Sequence, residues 1–223
     1  MYHAMFTDGS VFEKPIGKVV CVGRNYAEHA KELNNPIPDE PILFIKPETS
    51  VVNLQESIQI PSTDCHYEAE IAVLIGSELK NADIDTVTKS IIGVGLALDL
   101  TRRSLQSKLK EKRHPWEIAK GFDGACPLSQ FIPLTSFSGV QQLTFSFSIN
   151  AELKQEGNSN DMLNSVVPLI SYMSQFFTLR AGDVILTGTP KGVGELHGGD
   201  QLAFGLNIHP NLGSLHFESS VKS

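Results

Sequence analysis

Two glutamates one residue apart, Glu68 and Glu70, stand in an otherwise apolar run, His66-Tyr-Glu-Ala-Glu-Ile-Ala-Val-Leu-Ile75. Side chains alternate faces along a strand, so both carboxylates project the same way beside a segment that favours burial. Two like charges held so close are stable in open water on an edge strand, with one carboxyl protonated, or with a cation between them. A third carboxylate favours the cation. In Gly93-Val-Gly-Leu-Ala-Leu-Asp99-Leu100, one face is Val94, Leu96, Leu98 and Leu100, and the other is Gly93, Gly95, Ala97 and Asp99. That second face is stripped of bulk, so another backbone or a ligand can come close to it. Glu68, Glu70 and Asp99 make a hard, all-oxygen set that suits Mg²⁺ or Mn²⁺, with water and substrate oxygens completing the coordination, and they lack the Cys and His donors that zinc takes. His66 shares the parity of the two glutamates and could orient a ligand carboxylate; it is left outside the ligand set.

A proton-transfer pair is suggested by Gly23-Arg-Asn-Tyr-Ala-Glu-His29-Ala-Lys-Glu32. A turn after an apolar strand opens a short helix here, with Asn25 as its expected N-cap. His29 and Glu32 then lie at i and i+3 on one face, where a carboxylate fixes the imidazole tautomer and raises its basicity enough to deprotonate water near neutral pH. The alternative is a surface ion pair. Arg24 lies at the start of this helix, where backbone N–H groups favour an anion. Lys120, in Trp116-Glu-Ile-Ala-Lys-Gly121, sits among apolar and glycine residues rather than in a run of charge. The loop Leu186-Thr-Gly-Thr-Pro-Lys-Gly-Val-Gly194 is glycine-rich but is no Walker A loop; its N–H groups and the Thr189 hydroxyl could meet a carboxylate.

Strand patterns at 18–22, 42–45, 67–75, 93–100, 143–153, 183–186, 201–206 and 215–221 outnumber helical ones at 26–33, 84–91, 102–112 and 163–177. The two types do not alternate as β-α-β units, so the expected fold class is α+β and mostly β, a rolled or sandwiched sheet with short peripheral helices. A length of 223 residues fits one sizeable domain. We expect residues 1–16 to be an N-terminal extension packing on the core and 17–223 to be a single catalytic domain. With 18 basic against 25 acidic residues, the net charge of −7 argues against nucleic acid as a partner. No apolar run reaches membrane-spanning length, and residues 1–9 show no basic region followed by an apolar core, so the expected setting is the cytoplasm, away from the membrane. The three cysteines, Cys21, Cys65 and Cys126, form no close pair and suit a reducing compartment.

Six strings in one order carry a family resemblance: Val22-Gly-Arg-Asn-Tyr-Ala-Glu-His29, Phe44-Ile-Lys-Pro47, His66-Tyr-Glu-Ala-Glu70, Ala97-Leu-Asp-Leu-Thr101, Pro115-Trp-Glu-Ile-Ala-Lys-Gly121 and the loop 186–194. From about residue 17 to residue 217 the chain resembles the fumarylacetoacetate hydrolase superfamily, specifically its small single-domain acylpyruvase branch. The resemblance implies a mixed β-sheet roll, a homodimer, and Mg²⁺ (or Mn²⁺) held by Glu68, Glu70 and Asp99. It also implies a His29–Glu32 catalytic dyad, a catalytic, substrate-facing Lys120, and Arg24, Gln106 and Thr189 as holders of the oxygens of a small 2-oxo acid. The expected reaction is hydrolysis of the C–C bond of an acylpyruvate through a metal-bound enolate, giving a carboxylic acid and pyruvate. The alternatives pass through the same enolate: oxaloacetate decarboxylation or keto–enol tautomerisation, and isomerisation or decarboxylation of dicarboxylic acids from aromatic catabolism, for which 34–41 and 108–116 would be lids. A structural Ca²⁺-binding β protein is the non-enzymatic rival, with no use for His29, Glu32 or Lys120.

Overall fold

Runs of Val, Ile and Leu bounded by glycine and turn residues build two sheets facing each other across one core. A computed structural model describes residues 1–34, 36–61 and 64–222. In the larger, eight-stranded sheet, Ala69–Ile75 and Ile91–Leu98 lie at the centre as antiparallel neighbours. Outward from Ala69–Ile75 follow Val184–Leu186, Lys18–Gly23 and Ile42–Pro47; on the other side come Cys126–Leu128 and Val51–Asn53, with the short Ile132–Pro133 also paired to Ile91–Leu98. Val184–Leu186 runs parallel to Lys18–Gly23, so the sheet is mixed.

The second sheet is antiparallel, in the order Glu152–Asn158, Gln142–Ile149, Gln201–His209, Gly213–Ser220. Its strand Gln142–Ile149 alternates strictly: Leu143, Phe145, Phe147 and Ile149 are buried, and the residues between them are partly exposed. Those buried residues meet Leu202, Phe204 and Leu206 of the same sheet, and Ile71, Val73, Leu96 and Leu98 of the larger one, in a single apolar cluster. The helix Val166–Phe176 closes that cluster with Leu169, Ile170 and Met173. The other face of the larger sheet, carrying Ala72, Leu74, Ala97 and Leu186, packs on Phe131 and on the hairpin His3–Met5/Val11–Pro15, which contributes Ala4 with neighbouring Phe6 and Ile16.

The α+β, mostly β reading holds, with three differences in detail. The alternation expected to run through 143–153 as one strand is cut by a turn: Asn150 and Ala151 have φ of 52° and 65°, and the chain reverses into Glu152–Asn158, leaving Leu153 exposed. Two consecutive positive φ values match the right-handed twist of the flanking strands, which is the usual two-residue hairpin geometry. The run 67–75 is broken at Glu68, between Cys65–Tyr67 and Ala69–Ile75. Asn25 is not the cap of the helix Ala27–Glu32; Tyr26 stands at that position. The buried Asn25 amide instead donates to Asn164 O and Thr187 O at 3.0 and 2.8 Å, tying three chain segments together.

Candidate active site

Antiparallel pairing brings the carboxylates together. Ala69 and Glu70 begin one central strand and lie opposite Leu98 and Ala97 at the end of the next, so Asp99, one residue further on, arrives beside Glu70. Glu68 sits where the chain crosses between sheets: Cys65–Tyr67 pairs with Thr101–Arg102 and Gly194–Glu195, whereas Ala69 enters the central sheet. The Asp99 N–H donates to Glu68 O at 2.8 Å and fixes the crossing. The small-residue face does admit another backbone, but that of the protein itself: a Cβ on Gly95 would meet Gln130 O at 2.8 Å.

Carboxylate oxygens of Glu68, Glu70 and Asp99 lie within 4.8 Å of one another, and all three residues are buried. Three cations surround them. Lys120 Nζ donates to Glu68 Oε2 at 2.8 Å and to Asp99 Oδ2 at 2.6 Å, Arg103 donates to Glu68 Oε1, and Lys46, fully buried, lies 2.7 Å from Asp99 Oδ1. Burial penalises the Glu68 charge, yet Lys120 and Arg103 outweigh it and hold this carboxyl far below the usual range. Glu70 goes the other way. Burial, then the Asp99 and Glu68 charges, raise it well above the usual range, against Lys120 and the Gly188 N–H that meets its Oε2 at 2.5 Å.

The donor set fits a hard divalent cation on two grounds. All three ligands are carboxylates, the chemistry such a cation takes. In addition, Asp99 Oδ1 is a buried oxygen with no hydrogen bond. Lys46 is its electrostatic neighbour, but the Lys46 ammonium donates to Leu100 O, Lys120 O and Ala125 O, which uses its three N–H bonds.

A cleft opens over the triad, lined by His29, Arg24, Arg103, Gln106, Lys110, Lys120 and Thr189 among others, with apolar walls from Val22, Leu33, Phe44 and Trp116. Its free volume is about 30 Å³, enough for a water or two. His29 is 5% exposed, and its Nδ1 lies 3.4 Å from Glu32 Oε2. Burial lowers its pKa below the ordinary histidine value, with Glu68 and Glu32 pulling against that, so the imidazole is neutral at pH 7. Glu32 is itself anchored, since its Oε1 accepts from the Gly192 N–H at 2.9 Å.

Of the residues expected at the site, His29, Lys120, Glu68, Glu70, Asp99, Arg24, Gln106 and Thr189 line the cleft, while Glu32 stands behind His29 rather than in the lining. The glycine loop does offer N–H groups to carboxylates, but those carboxylates are Glu70 and Glu32 of the chain itself. The Thr189 hydroxyl lines the cleft while donating to Ala69 O and accepting from Gln155 Nε2, both at 2.8 Å. Gln106 accepts from Arg103 Nη1 at 2.9 Å, and Arg24, at φ 59°, donates to Pro36 O. His66 stays outside, 3.9 Å from Asp64. Of the two expected lids, Lys110 and Trp116 from 108–116 line the cleft; Asn35, within 34–41, lies outside the described residues.

Three residues without an assigned role complete the site: Lys46, Arg103 and Lys110. The signal for Lys46 was a lone charge inside the apolar run Ile42-Leu-Phe-Ile-Lys46. Arg103 and Lys110 share a helix face with Gln106 at i, i+3 and i+7.

Scaffold and site together define a class: a buried carboxylate triad suited to a hard cation, under a cleft of cations, on a mostly β α+β domain. The family model for the fumarylacetoacetate (FAA) hydrolase C-terminal domain matches residues 18–218. The chain belongs to the fumarylacetoacetate hydrolase family. It is 51% identical over 212 residues, 94% of this chain and 97% of the other, to the oxaloacetate tautomerase YcgM of Escherichia coli. To the mitochondrial oxaloacetate decarboxylase of Dictyostelium discoideum it is 44% identical, over 85% of this chain and 88% of that one. The crystal structure of fumarylpyruvate hydrolase from Pseudomonas aeruginosa, in complex with Mn²⁺ and pyruvate, superposes with a TM-score of 0.86 at 32% identity, covering 99% of this chain and 96% of that one. Among the described residues no helix is long and apolar enough to cross a membrane.

Proposed function

We propose that this protein is an oxaloacetate tautomerase, interconverting the enol and keto forms, with decarboxylation as a slower outcome of the same site. One observation carries the reading: the buried triad lies under a cleft that offers cations and a single neutral imidazole, which is what moving a proton next to a chelating 2-oxo acid needs. The similarity to relatives named for oxaloacetate chemistry supports it, and it displaces acylpyruvate hydrolysis as the leading reading.

Glu68, Glu70 and Asp99 would hold Mg²⁺ or Mn²⁺, which when bound supplies Lewis-acid stabilisation of negative charge on substrate oxygens. The remaining work belongs to side chains. In the keto form, neutral His29 takes a proton from C3, and Glu32 beside Nδ1 steadies the imidazolium so formed. Lys120, an ammonium held by Glu68 and Asp99, offsets the charge that develops on the C2 oxygen. The His29 imidazolium then passes that proton, directly or through a cleft water, to the C2 oxygen, which gives the enol and restores the neutral base; in reverse, the oxygen returns the proton to His29, which delivers it to C3. Arg24 and Gln106 hold substrate oxygens. The apolar walls, buried Val22 with half-buried Leu33 and Phe44, limit the bulk water that competes for the proton. A cytoplasmic setting is part of the same reading, supported by three cysteines that are all buried and free; a homodimer is carried over from the family resemblance alone.

A second reading, acylpyruvate hydrolysis, is favoured by the His29–Glu32 contact, since that pair could equally activate water, and by the likeness to the fumarylpyruvate hydrolase. A panel with Mg²⁺ separates them: decay of the oxaloacetate enol, CO₂ release from oxaloacetate, and pyruvate release from acetylpyruvate. Tautomerisation is expected to be fastest by at least tenfold in kcat/KM, lost in Asp99→Ala and slowed about 100-fold in His29→Ala, within the usual contribution of general acid–base catalysis. Faster cleavage of acetylpyruvate would put the hydrolase reading first.

A further inference from the structure

The helix Arg103–Glu111 turns Arg103, Gln106 and Lys110 into the cleft. The first two are spoken for, Arg103 by Glu68 and Gln106 by Arg103. Lys110, at the outer end of the same face, differs. Its Nζ lies 5.1 Å from the centroid of the Trp116 ring, and among the described residues it has no carboxylate within ion-pairing distance. The charges facing it are mostly its own sign, Arg24, Arg103 and Lys120, with Glu68 alone opposed. A half-buried ammonium resting on an indole among cations is electrostatically underpaired, so an anion entering the cleft gains more from Lys110 than from a residue already in an ion pair.

A 2-oxo acid needs one carboxylate and its neighbouring oxygen at the triad. Whether its other end is charged is what distinguishes a dicarboxylate from a neutral-tailed acid. We propose that Lys110 is the specificity-determining residue of this cleft, binding the distal carboxylate of a dicarboxylic 2-oxo acid and so selecting it over 2-oxo acids with uncharged tails. The inference rests on the reading of the cleft as a 2-oxo acid site. It adds the side chain that enforces the choice of a dicarboxylic substrate.

The test is Lys110→Met, which keeps a flexible stem against Trp116 and removes the charge, with Lys110→Arg as the charge-retaining control. With Mg²⁺, the KM for oxaloacetate is expected to rise at least tenfold with kcat changed less than threefold. The ratio of kcat/KM for oxaloacetate over acetylpyruvate should fall at least tenfold, and Lys110→Arg should restore most of it. Binding gives an independent readout, because Trp116 is the single tryptophan of the chain. Malate should alter its fluorescence and bind about tenfold more weakly to Lys110→Met, whereas lactate, with one carboxylate, should bind both proteins alike. Equal losses for oxaloacetate and acetylpyruvate, or malate binding changed less than twofold, would overturn the proposal. If the unmodified protein enolises neither substrate, the reading of the cleft itself fails and this inference falls with it.

Discussion

Lys46→Met should be the most damaging conservative change in the site, although Lys46 does not line the cleft. The residue is fully buried, 2.7 Å from Asp99 Oδ1, and donates to Leu100 O, Lys120 O and Ala125 O. Methionine fills much the same space without the charge. Breaking a buried pair on one side costs about 3–5 kcal/mol, because the remaining charge stays uncompensated. Here Lys120 still reaches Asp99 Oδ2 at 2.6 Å, which places that cost at the low end. Ala125 O keeps the Leu100 N–H at 3.0 Å, but Lys120 O and Leu100 O each lose a donor, adding roughly 1 kcal/mol or more. The sum is about 4 kcal/mol, and a domain of this length loses about 2–4 °C of Tm per kcal/mol, so the expected drop is about 8–16 °C.

Thermal unfolding is measured in chelator, so that stabilisation by bound metal does not enter the comparison. A double-mutant cycle with Asp99→Asn isolates the pair: once the aspartate is neutral, Lys46→Met should cost about 2 kcal/mol less than in the parent background. A Tm change under about 3 °C, or additive effects in the cycle, would refute the account of Lys46 as the counter-ion that makes a buried Asp99 tolerable.

The carboxylate triad was legible because it needed only local rules. Strand parity put Glu68 and Glu70 on one side, and the gly-gly-ala face put Asp99 with them; the structure keeps both parities even though the chain breaks at Glu68. Parity survives the break because the Glu68 carbonyl still accepts from Asp99 N–H, so the ladder is continued by one residue. What could not be read locally was set by partners far along the chain. Val184–Leu186 inserts between Lys18–Gly23 and Ala69–Ile75, and the Gly188 N–H and Gly192 N–H then reach Glu70 and Glu32 from a loop more than a hundred residues away. Lys46 was hidden for a related reason. A lysine just before Pro47 reads as the frayed end of an edge strand, and only the arrival of Asp99 from another strand gives its charge a reason to be inside. The turn at Asn150 and Ala151 was missed because it carries no glycine, and the apolar alternation continues across it to Leu153.

Two further outcomes follow from the same geometry. Because burial lowers the His29 pKa, the neutral base persists below the pH at which an ordinary histidine is half protonated. At saturating Mg²⁺, the acid limb of kcat against pH for enolisation should have its midpoint below 6.5, the ordinary histidine value, and a neighbouring divalent cation pushes the same way. A midpoint at or above that value, or the same limb in His29→Gln, would count against His29 as the base. The last concerns Gly188, whose N–H holds Glu70. It has φ +94°, and a Cβ there would lie 2.7 Å from the Cβ of Asn25, itself buried and locked by hydrogen bonds to Asn164 and Thr187. Gly188→Ala therefore combines left-handed strain with overpacking, together about 3 kcal/mol. Gly9 supplies the control: its φ is +85°, yet nothing lies within 4 Å of its Cβ position, so Gly9→Ala meets the strain without the clash. Gly188→Ala should lower Tm by at least twice as much as Gly9→Ala and also weaken Mg²⁺ binding by calorimetry, because the displaced loop no longer orients the Glu70 carboxylate. Equal Tm losses in the two variants would mean that the Asn25 contact relaxes freely, and unchanged Mg²⁺ affinity would mean that the Gly188 N–H does not position Glu70.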